Sequence, residues 1–369
     1  MNFVAFFPGK YIQGCDAIQE LETIIKQFGS KAMLVTSPRA KNHIPQHFFC
    51  APLSSQITIF LLDGECCEET LGRLAQTIEE TKAEVIIGMG GGKVIDTAKI
   101  ASDRAGVPVI IVPTIAATDA PCSGCAVTYT LNGEFEKVHY QKLNPAVVLV
   151  DVSIIAKAPL RFLVAGMGDA LATWFEARSC QHTLSENECG GVSTLTGQTI
   201  ARLCYDTLLQ YGLRAKLDHE AGIMSPALHR IIEANILLSG IGFESGGLAT
   251  AHAIHNGLTV LPETHSFYHG EKVAFGLLAG LHLNNTNAYE MDEVYGFCAS
   301  VGLPITFAEI GIENPTPEKL KQVARKSSEQ SSSIHHEPQQ ITETLVYQAL
   351  IDADKYGQQF LSRLKHAYC

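Results

Sequence analysis

Short apolar runs rich in β-branched residues alternate with segments of helical spacing through the first part of the chain. Ala32 to Thr36, Ile57 to Leu62, Val85 to Gly88, Val107 to Val112 and Val147 to Asp151 predict strands. Ala17 to Phe28, Glu68 to Lys82 and Lys93 to Arg104 predict the helices between them. That alternation is the pattern of βαβ units and a parallel sheet. Val127 to Leu131 and Phe135 to Tyr140 flank Asn132-Gly133, a pair suited to a type I′ turn, so a β-hairpin is expected as an insertion. Beyond Pro159 the strand pattern ends. Thr196 to Leu209, Ala227 to Leu238, Glu271 to Leu283 and Thr342 to Lys365 carry helical periodicity instead. The expected organisation is an α/β, Rossmann-like nucleotide-binding domain over residues 1–158 and an all-α domain over 159–369.

Length and composition narrow the function. A chain of 369 residues with 46% hydrophobic content has material for two cores of ordinary size. A net charge of −11, with no extended Lys/Arg run, argues against nucleic acid or an anionic membrane as partner and favours a small soluble molecule. The opening Met1-Asn2-Phe3-Val4-Ala5-Phe6-Phe7-Pro8 lacks a basic n-region, and no stretch reaches the roughly 18 apolar residues of a membrane span. A cytoplasmic location is expected. Eleven cysteines, an odd number without a framework, predict reduced thiols. The CxxC of Cys122 and Cys125 has no partner pair and reads as ordinary packing. Ser327 to Gln340, rich in Ser, Gln and His, predicts a surface loop, with His335-His336 solvated.

Two motifs carry chemistry. Gly88-Met89-Gly90-Gly91-Gly92-Lys93 runs from a predicted strand into a predicted helix, where free N–H groups and the positive dipole end suit a pyrophosphate. The spacing excludes a Walker A loop, because Gly88 is one residue too close to Lys93 and Val94 stands where Ser or Thr is needed. The loop follows the third predicted strand rather than the first, which makes it a variant of the Rossmann arrangement. Farther on, Asp169, His252 and His269 lie in separate glycine-rich settings. One carboxylate and two imidazoles suit a divalent ion with a coordination position left open for catalysis. Metal and nucleotide together point to an oxidoreductase.

These segments resemble the glycerol dehydrogenase branch of the iron-containing, or group III, metal-dependent alcohol dehydrogenases. The most specific stretches are Pro113 to Ser123, Gly168-Asp169-Ala170-Leu171-Ala172-Thr173-Trp174-Phe175-Glu176-Ala177-Arg178, Phe243-Glu244-Ser245-Gly246-Gly247-Leu248, and His269-Gly270-Glu271-Lys272-Val273-Ala274-Phe275-Gly276. The resemblance extends from Pro8-Gly9-Lys10 to Gln359-Phe360-Leu361. It implies an active site in the cleft between the two domains, with Asp169, His252 and His269 as zinc ligands. Where four-ligand, iron-using branches carry another histidine, this chain has Thr173, so zinc is the expected metal. Gly92, Lys93 and Asp96 are implied along the cofactor phosphates, Thr114 and Thr118 near the adenosine, and Ser123, Cys125 and Tyr129 near the nicotinamide. Asp119 is implied beside the substrate hydroxyls, although Thr118-Asp119-Ala120-Pro121 is also a turn that Asp119 could cap.

One departure from the family pattern concerns the nucleotide. Relatives that prefer NAD place an aspartate where Ser37 stands, to take the adenosine ribose hydroxyls. Ser37, with Arg39 and Lys41 nearby, leaves NADP open beside NAD.

The implied reaction moves a hydride from a vicinal diol to NAD, with glycerol giving dihydroxyacetone. The bound zinc lowers the pKa of a substrate hydroxyl. 1,2-Propanediol or another diol, with NADP, is the alternative. His255 lies about one helical turn from His252 and suits a relay or orienting role as well as a plain core position. A dehydroquinate synthase-like lyase shares the architecture but needs several cations beside the metal, and only Lys272 is at hand. A non-catalytic metal- or nucleotide-sensing relative is a third reading. The resemblance also implies a homo-oligomer built from dimers, such as an octamer.

Overall fold

The structure is a computed structural model that describes residues 1–43, 56–131, 133 and 135–367. It divides into two compact units, Phe6–Pro159 and a second made of Leu160–Cys369 with Met1–Ala5. The first five residues leave the α/β unit because they pair elsewhere. Phe3 bridges Val192, the Val4 N–H donates to the Val192 carbonyl at 3.1 Å, and Asn187 Nδ2 donates to the Val4 carbonyl at 2.9 Å.

The α/β unit holds strands β1 (Tyr11–Gly14), β2 (Lys31–Thr36), β3 (Gln56–Leu61), β4 (Val85–Gly90), β5 (Val109–Pro113), β6 (Cys125–Tyr129), β7 (Phe135–Tyr140) and β8 (Val147–Asp151). Among the described residues its α-helices are α1 (Leu21–Ile25), α2 (Glu68–Thr81), α3 (Gly92–Ala105) and α4 (Val152–Ile155). Six strands form one sheet in the order β1-β8-β5-β4-β2-β3, paired in parallel throughout. Every residue of β4, β5 and β8 is buried, as expected of strands covered on both faces. Asp151 closes β8: its carboxylate accepts the N–H groups of Ser153 and Ile154 and, across the unit, that of Ile18 at 3.0 Å.

Two details differ from the sequence reading. Ala17 to Phe28 is not one helix but a 3-10 turn, Ala17–Glu20, followed by the short α1. The glycine loop follows the fourth strand, because β1 precedes those read from the pattern. β1 is four half-buried residues at the sheet edge, too short and too mixed to show periodicity. β6 and β7 form the expected antiparallel hairpin, with an irregularity at Thr128/Tyr129. The Asn132 half of the expected turn lies outside the described residues.

The second unit is helical: α5 (Leu160–Thr183), α6 (Leu195–Glu220), α7 (Pro226–Glu233), α8 (Ser239–Gly246), α9 (Thr250–Leu258), α10 (His269–Leu283), α11 (Ala288–Val301), α12 (Pro317–Ser327) and α13 (Glu343–Ala367). Between α7 and α8 the chain widens into a π turn, Ala234–Leu238. α5 and α10 cross with backbones in close contact. A Cβ on Gly270 would run into the Ala165 carbonyl, and one on Gly168 into the Gly270 carbonyl. Glycine at both positions is what lets residues 169 and 269 stand side by side. The segment read as a solvated loop is another departure: Ser333–His336 is a 3-10 turn in which Ile334 is buried, as is the Glu337 that follows it. No helix among the described residues is long and apolar enough to cross a membrane. The nine described cysteines are free thiols.

Candidate metal centre and nucleotide loop

Three helices of the second unit each place one candidate metal donor. Asp169 lies inside α5, His252 in the first turn of α9, and His269 is the first residue of α10. Their ligand atoms all lie within 4.8 Å of one another. His252 Nε2 is 3.5 Å and His269 Nε2 3.2 Å from Asp169 Oδ1. Metal–ligand bonds of about 2.1 Å in a tetrahedron put neighbouring donors roughly 3.4 Å apart, so the spacing fits a divalent ion. The Asp169 side chain is 1% exposed, and neither of its oxygens has a hydrogen-bond partner. A buried carboxylate in this setting calls for a positive partner, either a metal ion or the imidazoles beside it in protonated form. His269 is more open, with its side chain 37% exposed, which leaves one side of the cluster accessible.

Both imidazoles are oriented from behind. Glu176 Oε2 takes His252 Nδ1 at 2.6 Å, and Glu176 Oε1 accepts the N–H groups of Ala249 at 2.9 Å and His252 at 3.0 Å. With its proton committed to Glu176 at Nδ1, His252 presents a bare Nε2 to a metal. His269 is held by a relay of two residues. His255 Nδ1 faces Asn256 Oδ1 at 3.0 Å, an acceptor only, so His255 carries its proton there and its Nε2 accepts from His269 Nδ1 at 3.0 Å. That again leaves Nε2 of the metal-facing histidine bare.

The electrostatics agree with these assignments. Burial alone would raise the Asp169 carboxyl, but His269 and His252 hold it well below the usual carboxylate range. Burial would lower His252, yet Glu176 and Asp169 carry it well above the ordinary histidine value, so a proton and a metal compete for the same Nε2. His255 is pushed far down by burial and by neighbouring His269 and Lys272, which keeps it a neutral acceptor. Thr173, one turn after Asp169, is buried and bonded to Ser239 Oγ at 2.9 Å, so it contributes to helix packing.

In the α/β unit the glycine loop connects β4 to α3, with Gly91 as N-cap. Gly88 and Gly90 are explained by packing, since a Cβ there would meet Ala98 Cβ at 2.7 Å and Val94 Cβ at 2.8 Å. Gly92 is different: nothing lies within 4 Å of where its Cβ would be. Open space at a helix N-terminus fits the close approach of a phosphate. Lys93 is exposed and paired with Glu65. Asp96 is buried, accepts the Val127 N–H, and has its carboxyl raised by burial to about 6.

The remaining implied residues follow β2 and β5 or lie in β6. Thr114 is buried, with its N–H on the Gly90 carbonyl at 3.0 Å, Thr118 is half-buried, and Asp119 is buried. Ser123 and Cys125 are held by Lys99, a fully buried lysine whose Nζ donates to the Ala120 carbonyl at 2.8 Å, Ser123 Oγ at 3.2 Å and the Cys125 carbonyl at 2.5 Å. Tyr129 packs against Cys66, Leu71, Ile100 and Ala126, with its hydroxyl pushed up to about 12 by burial. Ser37 ends the β2 crossing, where its Oγ accepts the Ala40 N–H at 3.1 Å. Glu176, Asn256 and Lys99 were not singled out in the sequence. Only Glu176 left a signal, being seven residues after Asp169 and therefore on the same helix face.

A parallel-sheet unit with an open glycine at a helix start, and a helical unit with three converging candidate metal donors, form the combination expected of a metal- and nucleotide-dependent oxidoreductase. The chain belongs to the iron-containing alcohol dehydrogenase family. Residues 8–152 match the family of that description. It is 51% identical to the glycerol dehydrogenase of Thermotoga maritima over 97% of this chain and 98% of that protein. It is 47% identical to the glycerol dehydrogenase of Pseudomonas putida over 96% and 98% of the two chains. The crystal structure of a probable glycerol dehydrogenase from Sinorhizobium meliloti superposes with a TM-score of 0.92, at 40% identity over 97% of this chain and 99% of that one.

Proposed function

We propose that this protein is a zinc-dependent glycerol dehydrogenase, transferring a hydride from the secondary carbon of a vicinal diol to NAD, with glycerol giving dihydroxyacetone. The observation that carries the reading is the convergence of Asp169, His252 and His269, with the Nδ1 atoms of the two imidazoles bonded to Glu176 and His255 and their Nε2 atoms facing Asp169. Full-length similarity to glycerol dehydrogenases supplies the substrate class. Zinc held by these three residues would supply Lewis acidity, lowering the pKa of an alcohol hydroxyl toward neutrality. Three nitrogen and oxygen donors with an accessible side suit a catalytic zinc, and Thr173 offers no imidazole as a fourth.

The chain's own residues supply the rest. Asp169 neutralises charge, Glu176 and His255 fix the two ring orientations, and Gly92 with Lys93 receives the cofactor phosphates. Asp119 takes a substrate hydroxyl. A lyase acting on a phosphorylated, carboxylated substrate needs free cations near the metal residues. Here Lys272 is buried, with burial depressing its pKa, and Arg161 is committed to Glu271 through two bonds of 2.6 and 2.8 Å.

Initial rates with glycerol, 1,2-propanediol and dihydroxyacetone against NAD and NADP, on protein assayed for zinc and iron, test this reading. Turnover of glycerol with NAD by protein holding about one zinc per chain is expected. Full activity without bound metal would overturn it.

A further inference from the structure

The short segment after α12 reads in sequence as solvated polar loop, yet its side chains grip the turn that sets His252. Ser333 Oγ donates to the Ala249 carbonyl at 2.8 Å, and His336 Nδ1 meets the Leu248 carbonyl at 2.7 Å. On the other side of the same turn, the Ala249 and His252 N–H groups go to Glu176. The backbone ahead of the metal-facing histidine is therefore held through both its donors and its acceptors.

Glu337 closes this strap. It is 5% exposed and accepts three side-chain bonds: Thr250 Oγ1 at 2.6 Å on Oε1, and Ser179 Oγ at 2.6 Å and Asn284 Nδ2 at 2.9 Å on Oε2. Ser179 belongs to α5, Thr250 is the first residue of α9, and Asn284 caps the C-terminus of α10. Those are the three helices that carry Asp169, His252 and His269. Glu176 and Glu337 also line one cavity of about 20 Å³.

We propose that Glu337 is a positioning residue for the metal centre, fixing the mutual placement of the three ligand helices through one bond to each. The inference rests on the metal-holding reading of Asp169, His252 and His269. A buried carboxyl with three neutral donors from three different helices has no role in the hydrophobic core that an apolar residue could not fill.

The test uses the full-length protein, stripped of metal and reloaded with Zn²⁺, with zinc release followed by a chromophoric chelator and melting recorded for metal-free and loaded forms. Glu337→Gln keeps the size but cannot accept all three bonds. It is expected to speed release by roughly ten- to a hundredfold and to shrink the gain in Tm on loading. Asn284→Ala, which removes one arm and keeps the carboxyl, is expected to do the same to a smaller degree. Loading with Co²⁺ should show an altered visible spectrum in both variants. Tyr295→Phe, which breaks a 3.0 Å bond to the Ala353 carbonyl, should lower Tm without changing release.

Wild-type release from Glu337→Gln, with both melting points lowered equally, would overturn this role alone. Wild-type protein that takes up no zinc would overturn the metal reading as well. If Glu337→Gln does not fold, Asn284→Ala and Ser179→Ala decide the question by the same readouts.

Discussion

Glu176 meets His252 twice, at Nδ1 through 2.6 Å and at the backbone N–H through 3.0 Å. One carboxylate thus fixes both the ring's tautomer and the start of the helix that carries it. In Glu176→Gln, the amide either donates to Nδ1, forcing the proton onto Nε2, or turns its NH₂ toward the Ala249 and His252 N–H groups. Both outcomes oppose metal binding. The expected result is a ten- to hundredfold loss of zinc affinity with secondary structure intact, measured by competition with a chelator. Unchanged affinity would show that Glu176 only caps the helix.

Gly270→Ala tests the helix crossing. The added methyl would meet the Ala165 carbonyl and lie 3.0 Å from the Asp169 N–H, so α5 and α10 must separate. Overpacking of this kind destabilises by roughly 1–3 kcal/mol, and here it also parts His269 from Asp169. Thermal melting and zinc content after dialysis should both fall. A drop in Tm with full zinc content would mean that the cluster tolerates the shift.

Asp96 gives a pH dependence with a defined sign. Burial raises its carboxyl from 3.8 to about 6 in the folded chain. Its contribution to stability is therefore fully present below about 3.8 and lost as pH rises through about 6. Asp96→Asn removes the loss. The stability of the variant relative to wild type should grow by on the order of 3 kcal/mol between pH 4 and pH 7.5 in denaturant titrations. A flat difference would mean that Asp96 titrates normally.

On the proposed assignment of Ser37 to the adenosine ribose, nucleotide choice rests on a single substitution. Its Oγ accepts the Ala40 N–H, a role that Asp fills equally well, so Ser37→Asp should leave the turn intact. A new bond to the ribose hydroxyls, about 1.5–3 kcal/mol, should tighten NAD roughly ten- to a hundredfold and exclude NADP. Equilibrium binding of both nucleotides to wild type and variant checks this. No change in either constant would assign ribose recognition to another residue.

The legible parts of the molecule are those in which one local pattern decides the outcome. Val85–Gly90 and Val147–Asp151 are continuous buried runs, and the long helices after Pro159 show their periodicity. Asp169, His252 and His269 stand out because polar residues among glycines have no packing reason to be there. β1 stayed hidden because four half-buried edge residues carry no period. Glu337 stayed hidden because its three partners come from positions 179, 250 and 284, a relation that no window along the chain contains. His255 could be placed on the right face from its spacing, but its duty depends on Asn256, which turns one neutral ring into a defined acceptor.

Because Met1–Ala5 pairs beside Val192 while Phe6–Pro159 forms its own unit, the helical unit is assembled from discontinuous chain. During synthesis the sheet can close as soon as its strands have emerged, whereas Met1–Ala5 wait for a partner almost two hundred positions later. A segment beginning at Leu160 would lack that pairing. Restoring it needs a permuted chain in which the opening residues are relocated.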